Sequence, residues 1–191
     1  MRRLIFILLS FAFSQISFAQ LPAFKPDTNN RDRSIAFLQK YLMCDHDFVL
    51  SFRYWSRPAS PYYVLAHTGE TWEALEIGYA YRPVTDTSTI KRFVVPSDSA
   101  IHLLNELTKV GFWTMNNDSL AFNPVKAGVN TFDRPTHRFE ILRNTEYRIV
   151  QAYAPDVFYK RVPQSLPHER FLLCEALFLS FWKSKPYSSH F

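Results

Sequence analysis

Glycine is scarce: the 191-residue chain holds four, Gly69, Gly78, Gly111 and Gly128. That supply excludes the glycine-rich loops with which a backbone closes around a phosphate group. Cysteine is scarcer, with Cys44 and Cys174 alone, which rules out both a disulfide-dense scaffold and a thiolate metal cage. No Gly-x-Ser-x-Gly elbow occurs. His168-Glu169 is followed by Leu172 at the place where a zinc peptidase needs a second histidine. Past the N-terminus, the best apolar run is Phe171 to Trp182, which contains Glu175 and is too short to cross a bilayer.

What is present starts with a leader. Met1-Arg2-Arg3 is followed by an apolar stretch from Leu4 to about Phe13, and Ser17 and Ala19 are small residues two apart. This pattern predicts a signal peptide over 1–19, cut after Ala19, and export to the periplasm or the medium, as in a bacterial cell envelope. The expected organisation is then a loose N-terminal leader over 20–30, a single domain over 31–184, and a flexible tail over 185–191. Removing Arg2 and Arg3 lowers the formal charge from +5 to +3, too mild a balance for nucleic acid. The mature chain is not expected to span a membrane. Its aromatic content is heavy for its length.

Hydrophobic periodicity predicts the elements. Ile35, Leu38, Tyr41 and Leu42 form a helical stripe over 31–43. The period then changes to two: Phe48, Leu50, Phe52 and Tyr54 share one strand face, and Arg53 and Trp55 lie on the other. Tyr62 to Ala66 and Thr71 to Tyr81 read as a hairpin turning at Thr68-Gly69, with Leu75, Ile77, Tyr79 and Tyr81 facing inward. A polar loop over 83–89 leads to a short strand, Arg92 to Val95. Ser97 reads as the cap of a helix over 98–110 that stops at Gly111. Phe112 to Met115 reads as a short strand and 116–135 as irregular loop. His137 to Leu142 and Glu146 to Tyr153 form a second hairpin turning at Asn144, with Phe139, Ile141, Tyr147 and Ile149 inward. Pro167 opens a last helix to about Lys183, its inward side carrying Phe171, Cys174, Phe178 and Phe181. The order of elements predicts an α+β fold, a mainly antiparallel sheet with helices packed on one face in two layers.

The search for chemistry gives few candidates. Asp45-His46-Asp47 is the densest group of metal-capable side chains, but neighbours on a strand point to opposite faces, so the bland reading is a polar loop. His67, Glu70 and Glu73 sit at a hairpin tip, where polar residues are usual. No cofactor motif and no metal site emerge. An exported chain with two cysteines favours one bridge, Cys44 to Cys174, against the alternative of two buried thiols. Asn117-Asp118-Ser119 matches the N-glycosylation pattern, which recurs by chance. The most specific site expectation is a ligand-binding sheet face carrying Arg53, Trp55, Trp72 and Glu76, where rings among charges could stack on a carbohydrate or anchor a protein partner. The leading reading is an exported, non-enzymatic binding module. Its rival is a small extracytoplasmic hydrolase built from scattered His, Asp and Glu residues.

Overall fold

The computed structural model describes residues 21–27, 45–55, 60–78, 90–128 and 134–184. The signal segment, the helix expected over 31–43, Cys44, the loop over 83–89 and the tail from 185 lie outside the described residues.

Six strands form one sheet: β1 Phe48–Trp55, β2 Tyr62–Thr68, β3 Thr71–Ile77, β4 Ile90–Val95, β5 Thr136–Arg143 and β6 Glu146–Tyr153. Their order is β4-β3-β2-β1-β5-β6 and every neighbouring pair is antiparallel. The two expected hairpins form where turn chemistry allows. Gly69 takes a positive φ of 57° between β2 and β3, and Asn144 does so at 52° between β5 and β6, the left-handed conformation that glycine adopts freely and asparagine tolerates. β1 pairs with β2 and with β5, so one strand joins the two hairpins into a single sheet.

Four helices complete the described fold: α1 Ser97–Val110, α2 Pro124–Ala127, α3 Pro155–Arg161 and α4 Leu166–Lys183. α1 and α4 pack on each other and on one sheet face, giving the expected two-layer α+β arrangement. The core joins Phe48, Leu50, Phe52, Phe139 and Ile141 to Leu103, Leu104 and Leu107 of α1 and to Phe171, Cys174 and Phe178 of α4. Each ring removed from water there contributes about 1.5–3 kcal/mol before its ordering entropy is charged.

Local differences have local reasons. Pro96, not Ser97, occupies the N-cap of α1, and no side chain caps that end. Phe112–Thr114 is a 3₁₀ turn, not a strand: Phe112 and Trp113 are both buried, whereas adjacent strand residues would point to opposite faces. The stretch read as irregular loop holds a second 3₁₀ turn, Asn117–Leu120, and the short α2. The unexpected α3 has ordinary signals, Pro155 at its first position, Asp156 in the first turn and Lys160 and Arg161 in the last. It is too short to display a stripe.

The larger correction concerns parity. Trp72 and Ala74 belong to the helix-side core, while Leu75 and Ile77 face the opposite side with Val49, Tyr62, Val64, Ala66 and Leu142. In β6, Val150 and Ala152 lie on the helix side, and Tyr147 packs on the opposite cluster. The expected inward residues Leu75 and Ile77 of β3 and Tyr147 and Ile149 of β6 therefore face the other way, while Tyr79 and Tyr81 lie outside the described residues. Pairing dictates this: Phe48 stands opposite His67, and His67 opposite Trp72, so all three share the helix-side face. Alternation in a strand identifies two faces without saying which is inward, and here both faces bury apolar residues.

Candidate functional site

The predicted sheet-face site divides between two faces. Arg53 and Trp55 lie opposite the helices, as expected. Trp72 is 4% exposed in the core, and Glu76, opposite Tyr63 on the helix-side row, pairs with Lys91 at 3.0 Å. No single ligand surface can use all four. On the far face, the guanidiniums of Arg53 and Arg138 each sit 4.5 Å from the centroid of Trp55, and Arg53 lies equally close to the Tyr62 ring. Arg138 also pairs with Glu140 at 2.8 Å, and Arg53, Arg138 and Glu140 are buried. Burial pushes the Tyr62 hydroxyl up to about 12, with Glu140 adding to the rise and Arg53 opposing it. Trp55 thus stacks on two cations of its own chain.

The remaining candidates resolve into pairs. His46 Nε2 meets Glu73 Oε1 at 2.5 Å, and Arg92 reaches the other Glu73 oxygen at 3.2 Å. The Asp47 carboxylate accepts a hydrogen bond from the Gly69 N–H, fixing the β2–β3 turn, and lies 3.9 Å from His67 Nδ1, too far for a bond. Burial lowers the His67 pKa. Among the described residues no three His, Cys, Asp or Glu side chains are grouped to hold one ion. His137 Nδ1 contacts Glu175 Oε2 at 2.6 Å, and the Tyr54 hydroxyl donates to Glu175 Oε1. That trio, with His137 and Glu175 buried and Tyr54 half-buried, ties β1, β5 and α4 together. Cys174 is a buried free thiol whose pKa burial pushes up to about 12. Its expected bridge partner, Cys44, lies outside the described residues.

Convergence occurs elsewhere, in a cleft of about 590 Å³ where the segment 118–126 faces α3 and the start of α4. The rings of Phe122 and Phe158 meet edge to face at 5.5 Å along it. Around them stand Asp118, Asn123, Lys126, Gln164, Ser165 and His168. The Asn123 side-chain Oδ1 accepts from the Lys126 N–H and caps α2, holding that wall. Ser165 precedes α4, whose second residue is Pro167, and no side chain caps that end. Ser165 Oγ lies 2.7 Å from His168 Nδ1, and the imidazole stacks on Phe158 at 4.2 Å with the planes 25° apart. His168 is 1% exposed, and its Nε2 has no hydrogen-bond partner. Burial lowers the His168 pKa. The Leu120 carbonyl opposes that electrostatically without being placed to accept a formed hydrogen bond.

Two larger clefts offer less chemistry. One, lined by residues 23–27 and 113–118, includes Arg148, but that guanidinium donates to the carbonyls of Trp113 and Met115. The other, between residues 21–23 and α1, is walled by Ile101, Leu104, Thr108 and Trp113 and carries no ionisable side chain. Of the cleft residues beside α4, sequence reasoning weighed only His168 as a chemical group. The signal that could have found its partner is the three-residue spacing from Ser165, which puts both at the first turn of one helix. Phe122 and Lys126 lay in a stretch with no periodicity to place them. No protein-family model matches the chain, and no curated protein or solved structure is significantly similar to it.

Proposed function

We propose that this protein is an exported module that binds a carbohydrate in the cleft beside α4. Export rests on the leader over 1–19, and binding on one observation, the meeting of aromatic rings with short-range donors and acceptors around a single concavity. A sugar presents C–H faces that stack on rings and hydroxyls that need both donors and acceptors. Phe122 supplies a half-buried ring, and Asp118, Asn123, Lys126, Gln164 and Ser165 supply both kinds of polar partner.

Calorimetric titration of the secreted protein with a panel of neutral and acidic mono- and oligosaccharides tests the reading. Binding should weaken at least about tenfold, or 1.4 kcal/mol, in Phe122→Ala and in Gln164→Ala. Gln164 is exposed, so its replacement should leave the melting temperature within about a degree of the parent's. Absence of heat with every saccharide, or unchanged affinity in both variants, refutes it.

A further inference from the structure

We propose that Ser165 and His168 are the nucleophile and general base of an esterase that removes acyl groups from the ligand held in this cleft. The proposal rests on the carbohydrate reading for its substrate class, O-acylated sugars, and on separate geometry for its chemistry.

Nucleophilic catalysis by serine needs a hydroxyl within hydrogen-bond reach of a base, and a base whose orientation is fixed by its surroundings. The 2.7 Å contact between Ser165 Oγ and His168 Nδ1 meets the first requirement. Packing meets the second: the imidazole is stacked on Phe158 and almost wholly buried, so its ring cannot turn away. When Nδ1 accepts the serine proton, the second nitrogen carries hydrogen. Here that nitrogen is buried without a hydrogen-bond partner, so the pair works as a dyad whose base is oriented by packing and not by a carboxylate. Burial keeps the imidazole neutral at neutral pH, as a base requires. At the start of α4 the Leu166 N–H donates to Gln164 and the Glu169 N–H to Ser165, and Pro167 has none, which leaves the His168 backbone N–H as the first-turn donor for a developing oxyanion beside Ser165. Phe158, itself buried, covers one face of the His168 ring.

The steps balance. Ser165 Oγ attacks the acyl carbon while its proton passes to His168 Nδ1. The tetrahedral oxyanion collapses, the bond to the sugar oxygen breaks, and that oxygen takes the proton from His168. A water then gives a proton to Nδ1 and attacks the acyl-serine; its collapse frees the carboxylic acid and returns the proton to Ser165. The net reaction is ester plus water giving acid plus alcohol.

The test uses the full secreted chain with two readouts, covalent labelling by a fluorophosphonate probe and acetate release from peracetylated xylose. Peptide mapping should place the label on Ser165. Ser165→Ala should abolish labelling and acetate release, and His168→Gln should slow both by at least about 100-fold. Circular dichroism identifies variants that fold. Should His168→Gln not fold, Phe158→Leu, which loosens the ring without removing it, should slow labelling at least about tenfold. An unlabelled Ser165 in the parent chain overturns the esterase, leaving it a helix-end residue, and saccharide binding would then still stand on its own titration. Labelling of Ser165 without saccharide binding upholds the nucleophile and overturns the carbohydrate reading instead.

Discussion

The indole of Trp72 meets the ring of Phe48 edge on, with centroids 6.1 Å apart, and both are buried on the helix-side face of the sheet. Trp72 is therefore a core residue, and Trp72→Ala should destabilise the protein by about 3–5 kcal/mol in urea unfolding. Trp55, half-buried beside two arginines, should cost under about 2 kcal/mol when replaced by alanine. Equal costs at the two positions would contradict their placement on different faces.

One edge of the sheet is closed by side chains that imitate a strand. The Asn117 amide donates to the Ile149 carbonyl and its oxygen accepts from the Gln151 N–H, both at 3.0 Å. Asp27 continues the imitation, its N–H donating to the Tyr147 carbonyl and its carboxylate accepting from the Ile149 N–H. Asn117→Ala should cost roughly 1–3 kcal/mol and expose backbone groups of β6 to pairing. Sedimentation at rising concentration should show self-association in the variant and none in the parent. The nitrogen that a glycan would occupy at Asn117-Asp118-Ser119 is the one donating to Ile149, so glycosylation there should destabilise in the same way.

Burial lowers the pKa of both His67 and His168 in the folded protein. The unfolded chain then binds more protons than the folded one just below the ordinary histidine value of about 6.5, so stability falls as pH drops through that window. Urea midpoints measured between about pH 7 and 5 should decline with acidity. His168→Gln should flatten the decline and leave the share belonging to His67. A slope unchanged by His168→Gln would show that this ring titrates normally in the fold.

Cys174, with its thiol raised to about 12 by burial, should resist alkylation in the folded protein at mildly alkaline pH. Iodoacetamide with peptide mass analysis should find Cys174 unmodified in buffer and modified in urea. Rapid modification under native conditions would place the thiol at the surface.

Much of the fold was legible because local rules decide it. The strand β1, both hairpins with their turns at Gly69 and Asn144, the helix stop at Gly111 and the long α4 all follow from periodicity and turn chemistry confined to a few neighbouring residues. The candidate cleft was not legible, since Phe122 and Lys126 approach α4 only through loop and tertiary packing. Its one local trace is the pair Ser165 and His168.

The sequence by itself determined which residues alternate, where chains turn, and that two apolar helices follow two hairpins. The tertiary structure alone decided which side of each strand is inward. Phe48 pulls His67 and Trp72 onto the helix side through cross-strand pairing, and the same rule sends Arg53 and Trp55 to the other. A strand carries two equivalent faces, and only its partners, distant in sequence, break that symmetry.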